Sequence, residues 1–517
     1  MKAKLITIYL IAFAMFSCEK YSDSILNVTQ PTKNQFESTD ESAIDVEDAL
    51  ARQMVIGKKL PNPYSVDNMM KALSSLQTKS VLGKIELNPT HHYVMFKPEC
   101  HEHYRSLIMQ DDLDLYSFPL DHEISSGWLV VNPDPAFSTN GYSHKWSYVP
   151  VERNLANIDC PYEILYDIIS IEEDEIFTTK GNAITKDIFE LIEQESHTMC
   201  GIDLKIVPKT KASTTPSGRI TYYDSSYGRE IGCAGMSVRA HRLTKQSYAH
   251  CNEAGYFTCD KEFTYKWTYT VYWGRTDFEI RDGVSSTQEI TLVLTEQDGP
   301  LNLKFNDSNY PDHMFHCEIL RAACKYFYGE IDGLNRPPFK SDLKDRIYIQ
   351  AVKGNDTDNG WNGAFYSYTS LNSVPYIRIF SDNSSRRSAS GIYWTTMHEL
   401  AHASHWKQDI STFLSASSKV KESYATGIAW YLTKKVHPNH TRSYDSTYTG
   451  VVQDLVDDDG YMGHSTSITE NVSGFSIKEI EDAVMGAETW NEWQNNMLYL
   501  YPYNPTITNV QPLFALW

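Results

Sequence analysis

Four residues in the last quarter of the chain have the types and spacing to hold a metal ion and to use it. His398, Glu399 and His402 stand in the run His-Glu-Leu-Ala-His. On a helix, positions i and i+4 share one face, so both imidazoles can reach a single ion. The glutamate between them sits beside that face, where it can hold a water molecule and take its proton. The surrounding SASGIYWTTMHELAHASHW reads as a helix capped by Ser388 or Ser390, with Ile392, Met397, Leu400 and Ala401 supplying apolar contacts. A hydrolytic zinc site takes three protein ligands and keeps one position for water. A second helix is expected over Lys419–Thr433 (KVKESYATGIAWYLT), and it carries Glu422, twenty residues after His402. A carboxylate on a helix this apolar is costly to bury without a partner, and a metal supplies one.

This pattern resembles the gluzincin metallopeptidases, the thermolysin-like enzymes whose third ligand is a glutamate on the following helix. The resemblance covers residues 310–435 as a catalytic core. From Cys18 to the ESYATGIAWYLT helix, the whole chain is similar to zinc metallopeptidase lipoproteins of Bacteroidetes-type bacteria. It implies Zn²⁺ on His398, His402 and Glu422, with Glu399 as general base in peptide hydrolysis. It also implies a histidine and a tyrosine that steady the oxyanion; His464 and Tyr461 (GYMGH) are the candidates, with Tyr424 as a further one. The strand Tyr376–Phe380 is expected to form the upper rim and to pair with extended peptide. Thr426 stands where the family pattern has an aspartate, four after the third ligand, so another group must orient a ligand histidine. The metzincin pattern requires a histidine six after the second one and fails at Gln408. His405 is expected to be structural.

Around these residues the chain is expected to be α+β and multidomain. Residues 46–210 read as an N-terminal α/β domain, with helices over Val46–Leu60, Val66–Leu76 and Thr185–Glu195 and strands at His91–Phe96 and Trp128–Val131. PKTKASTTPSG (208–218) is a linker. Residues 211–300 read as a small β-sandwich, resembling the carboxypeptidase-regulatory-like module, with strands that include Phe278–Arg281. Residues 301–517 form the zincin-like catalytic domain, with a helix over His313–Tyr328 and strands Arg346–Val352 and Tyr376–Phe380.

The first 18 residues, MKAKLITIYLIAFAMFSC, have a positive start, a short apolar run and a small residue before Cys18. They read as a lipoprotein signal whose Cys18 carries the lipid. Residues 19–45 are a polar tether, so the protein is placed at the cell envelope, on the outer membrane or cell surface. Eight further cysteines permit disulfides in that compartment, with Cys251 and Cys259 as the best local pair. Cys317 and Cys324, seven apart on one helix, are too far apart to bridge.

Sixty-six acidic against 46 basic residues give a net charge of −20, which argues against a nucleic-acid partner. No G-x-S-x-G and no P-loop occur. Cys100-His101-Glu102-His103, the Gly/Asn/Asp-rich loop after Lys353 and Asp457–Gly460 read as ordinary polar segments. Trp490 and Trp493 read as helix packing. The expected partner is therefore a peptide or protein substrate. The alternative function is a non-enzymatic adhesion or glycan-binding lipoprotein on the same scaffold, which would have no use for Glu399.

Overall fold

A computed structural model describes residues 52–79, 87–129, 134–170, 177–179, 182–184, 186–201, 213–263, 265–284, 289–306, 311–354, 362–367, 374–383, 385–457 and 472–517. The leader, Cys18, the tether, Tyr461 and His464 lie outside these residues. The chain is a mixed α and β protein with several sheets. No helix among the described residues is long and apolar enough to cross a membrane.

In the N-terminal region, His91–Phe96 is the middle of a three-stranded antiparallel sheet, between Lys145–Pro150 and Tyr162–Ile168. The helices Val66–Thr78 and Lys186–Met199 pack together beside it. Met69, Ala72, Leu73 and Leu76 recur at helical spacing and close a small core with Phe189 and Ile192. One expectation fails here. Residues Ile56–Lys59, read as part of a helix, form a strand paired with His122–Ile124. At Gly57 the strands approach so closely that a Cβ would lie 3.0 Å from Glu123 Cβ, a contact that helical geometry would not make.

Two sheets make up the central region. In one, Ser217–Asp224 lies between Arg229–Gly232 and Tyr256–Thr258 and also pairs in parallel with Leu301–Phe305. The other runs Lys245–His250, Ser237–Arg242, Trp267–Tyr272, Thr291–Gln297 and Gly127–Leu129. Its last strand comes from the N-terminal region, and Leu301–Phe305 lies beyond the boundary expected at 300. The cysteines of this region are unbridged. Cys251 and Cys259 are both free and buried, because the hairpin closes with the Asn252 N–H donating to the Tyr256 carbonyl while the Cys259 N–H donates across to Pro216. The two are therefore not register partners.

The C-terminal sheet runs Phe278–Asp282, Ile347–Val352, Tyr376–Phe380 and Gly363–Tyr366. Its first three strands are parallel and the last is antiparallel. Phe278–Asp282 thus belongs to this sheet and not to the central ones. Tyr376–Phe380 is an inner strand, so the rim expected of it passes to Gly363–Tyr366, the terminal strand among those described. The helix Ala389–Gln408 packs against both Pro311–Tyr328 and Ser418–Lys434, and Pro311–Tyr328 and Ala389–Gln408 lie against this sheet. Ala389 through His405 are all buried, which is why this helix is rich in small and apolar residues on every side.

Candidate metal centre

The helix Ala389–Gln408 starts where the central region touches it. Ser388 caps it, its Oγ accepting from the Gly391 N–H at 3.1 Å. Two more exposed amide donors are met from outside: Ser225 Oγ accepts from the Ala389 N–H (3.0 Å) and Ser226 Oγ from the Ser390 N–H (2.8 Å). These serines sit in a turn built by Asp224, whose Oδ1 accepts from the Ser226 and Tyr227 N–H groups at 2.8 and 3.0 Å. Three of the four amide groups that a helix start leaves unpaired thereby gain partners. The helix Ser418–Lys434 is capped in turn by Ser417. Gly427 lets it cross the helix Val451–Val456 closely: a Cβ there would lie 2.1 Å from Val452 Cβ.

These two helices bring His398, His402 and Glu422 together, all buried. Glu422 Oε2 lies 3.1 Å from His398 Nε2 and 3.2 Å from His402 Nε2, and the two Nε2 atoms are 3.2 Å apart. Protons cannot satisfy all three edges of this triangle, because two N–H groups aimed at the carboxylate leave the nitrogens facing each other. A cation can satisfy all three at once. The fit is also metric: a tetrahedron with edges of 3.1–3.2 Å has its vertices ~2 Å from its centre, the length of a zinc–imidazole bond. Burial pushes the His398 imidazole down to about 4, so it is neutral and able to ligate at pH 7. Burial works against the Glu422 carboxylate, but the imidazoles beside it prevail and hold it well below the usual carboxylate range.

Aromatic rings brace both imidazoles. Trp394 stacks on His398 at 5.0 Å, and Tyr448 lies 6.2 Å from the same ring. Phe365, on the terminal strand, stacks on His402 at 6.3 Å, with Phe413 at 6.2 Å on another side. Arg442 covers Trp394 at 3.9 Å. Ser423, next to Glu422, ties its helix to the Tyr448 segment: its Oγ donates to the Thr447 carbonyl (3.0 Å) and accepts from the Thr449 hydroxyl (2.8 Å).

Glu399 is fully buried and lies under the terminal strand. A Cβ built on Gly363 would stand 2.9 Å from Glu399 Oε1 and 2.5 Å from Thr395 Cγ2, so glycine leaves the room that this carboxylate occupies. Arg387 fixes that strand end. Its guanidinium donates to the carbonyls of Asn362 (3.1 Å), Phe380 (3.1 Å) and Gly391 (2.7 Å), and to Thr395 Oγ1 (2.5 Å). The sequence reading did not single out Arg387, Gly363, Trp394, Phe365, Phe413, Arg442 or Tyr448. Only their distances in the fold tie them to the motif.

Other expected residues fall elsewhere. Tyr424 points away from the centre, donating to Glu481 Oε1 at 2.8 Å, which removes it as an oxyanion donor. His405 is wedged between Phe413 (5.2 Å) and Tyr424 (5.1 Å), and burial pushes it down to about 3. Thr426 is buried and its hydroxyl meets no acceptor among the described residues. In the Cys100–His103 run, His101 Nε2 bonds Asp345 Oδ2 at 2.8 Å. Trp490 and Trp493 pack edge to face with each other and against Phe514.

A second buried group that could hold a metal is Asp224, Glu318 and His437. It is looser, with His437 Nε2 3.9 Å from Asp224 Oδ2. It also already contains a cation, Arg321, whose Nη1 lies 3.5 Å from the same Asp224 oxygen. Distance and charge both favour the first group. Comparison with protein-family models, curated proteins and solved structures finds no match to this chain.

Proposed function

We propose that this protein is a zinc-dependent peptidase, an endopeptidase built on a zincin-like unit within residues 301–517. The observation that carries this is the closed triangle of His398, His402 and Glu422 ligand atoms at 3.1–3.2 Å, with Glu399 buried beside it. His398, His402 and Glu422 would hold the zinc, which when bound would supply a Lewis acid and lower the pKa of a water molecule to about 7. Glu399 takes one proton from the attacking water as its oxygen bonds to the peptide carbonyl carbon. The same carboxyl returns that proton to the leaving nitrogen as the C–N bond breaks.

Gly363–Tyr366 receives extended peptide as a further strand, which sets the scissile bond above Glu399. Tyr448, whose ring lies 6.2 Å from that of His398, and Arg442, which covers Trp394, are further candidates to steady the developing oxyanion. His464 and Tyr461 keep the same candidate role from the sequence. The β-sandwich over residues 211–300 docks the catalytic unit through Ser225 and Ser226. A lipid on Cys18 anchors the chain at the cell envelope, on the outer membrane or cell surface, where it meets peptide or protein substrates.

The test is cleavage of a diverse peptide library by the zinc-loaded protein, with Glu399→Gln as control. Internal cleavage by the wild type and none by the variant is expected. Equal cleavage by both, or none by either, would sink the peptidase reading.

A further inference from the structure

Where the N-terminal, central and C-terminal regions meet lies a cavity of about 420 Å³ that shares no lining residue with the candidate metal centre. In a chain of net charge −20 its lining carries more cations than acids: Lys145, Arg239, Arg275, Lys340 and Arg346 border it, beside Asp111, Asp114 and Glu289. Three of these cations have local partners. Lys145 donates to Ser117 Oγ at 2.5 Å, Lys340 to Asp111 Oδ1 at 2.5 Å, and Arg346 Nη1 lies 3.6 Å from Glu279.

Arg239 differs. It is 4% exposed, and its one side-chain hydrogen bond runs from Nη1 to the Leu115 carbonyl at 3.1 Å. Its guanidinium lies 3.9 Å from the Tyr116 ring centre and 5.3 Å from that of Tyr272. Among the described residues no carboxylate oxygen lies within ion-pair distance of it, although Asp114 and Glu289 share the cavity with it, and its Nε meets no acceptor; nor does Arg346 Nε. A guanidinium cannot shed its proton to escape burial as a lysine can. Aromatic faces orient the charge but do not neutralise it. Buried charges are ordinarily paired by direct contact, and none of the carboxylates lining the cavity makes that contact with Arg239.

We propose that this cavity binds a small molecule bearing a carboxylate or phosphate group, with Arg239 as the residue that takes the oxyanion. The planar fork of a guanidinium matches both anions with two parallel hydrogen bonds. Lys145 and Arg346 add charge around the same anion, and Tyr248 and Tyr272 border the space for the ligand's body. The volume falls within the ~300–1,000 Å³ of small-molecule sites. Glu289 shares the lining, and burial, with the Glu279 charge, pushes its carboxyl up to about 8. Because the walls come from three regions of the chain, a bound ligand would clamp them together.

The test is thermal unfolding of the purified full-length protein against rising sodium phosphate and, separately, sodium succinate, with sodium chloride holding ionic strength constant. Arg239→Met is the main variant and Arg346→Gln the second. A saturable rise in Tm with phosphate or succinate is expected in the wild type. Arg239→Met should weaken it at least tenfold while being no less stable than the wild type in chloride alone. Whichever probe saturates at lower concentration identifies the anion. Equal response of wild type and both variants, or no saturable response to either probe, would overturn the proposal. So would an Arg239→Met protein that unfolds in chloride while Arg346→Gln leaves the response intact, because the guanidinium would then serve only to pack Tyr116 and Tyr272.

Discussion

At the scale of single residues, the centre depends on small tolerances. Gly363→Ala would press a methyl group against Glu399 Oε1 and Thr395 Cγ2, both on a buried helix. Overpacking of this kind costs about 1–3 kcal/mol, and here the loss falls on the position of the proposed base. Gly363→Ala is expected to keep its bound zinc but to lose roughly tenfold in kcat, which is ~1.4 kcal/mol of barrier; steady-state kinetics with metal analysis on one sample would check it. Unchanged kcat would mean that Glu399 tolerates displacement.

His405 gives a pH-dependent prediction. Burial pushes its imidazole down to about 3, whereas in the unfolded chain it titrates near ~6.5. Above that value both states are neutral. Below it the unfolded chain takes up a proton that the folded one refuses, so stability falls with pH until the folded group titrates near 3. At pH 5 the loss from this one group is roughly 2 kcal/mol. Urea unfolding of wild type and His405→Gln should therefore diverge between pH 7 and pH 5, the wild type losing ground by that amount. Parallel curves would show that His405 protonates freely in the fold.

At the scale of elements, both helices that carry the candidate ligands were legible in the sequence: two imidazoles at i and i+4 on one ion demand a helix, Ser388 or Ser390 marks its start, and KVKESYATGIAWYLT has the pattern of a second. The strand that covers Glu399 was not legible. Gly363–Tyr366 is four residues long and follows a Gly/Asn/Asp-rich stretch, so local pattern favoured a loop, and the rim was assigned to the longer YIRIF run. The strand expected at Phe278–Arg281 in the β-sandwich lies instead, as Phe278–Asp282, in the C-terminal sheet, since alternation tells that a segment is extended and not which strand it joins. Arg387 carried no signal at all, because its four acceptors come from three separate segments. Arg387→Leu would leave those acceptors bare and is expected to destabilise the protein by about 3 kcal/mol or more, measured by denaturant unfolding. The caps supplied from the central region are milder. Ser225→Ala with Ser226→Ala should cost about 1 kcal/mol for each cap and leave the metal content unchanged.

At the scale of the whole molecule, strand exchange makes the regions interdependent. Gly127–Leu129 completes a central sheet, Leu301–Phe305 joins the other, and Phe278–Asp282 supplies the C-terminal sheet. A fragment of residues 301–517 would lack its Phe278–Asp282 strand and expose the inner strand Ile347–Val352 as an edge. Such an edge invites aggregation. That fragment is expected to be insoluble, while the full chain unfolds as a unit; soluble, metal-binding 301–517 would show that the C-terminal unit closes without the exchanged strand.

His398, His402 and Glu422 are the proposed metal ligands. The most direct measurement is elemental analysis of the purified protein after dialysis, beside Glu399→Gln, His402→Ala and Glu422→Ala. About one zinc per chain is expected in the wild type and in Glu399→Gln, with loss in the other two. A wild type without a transition metal after incubation with zinc, or a zinc content that survives both ligand substitutions, would contradict the account.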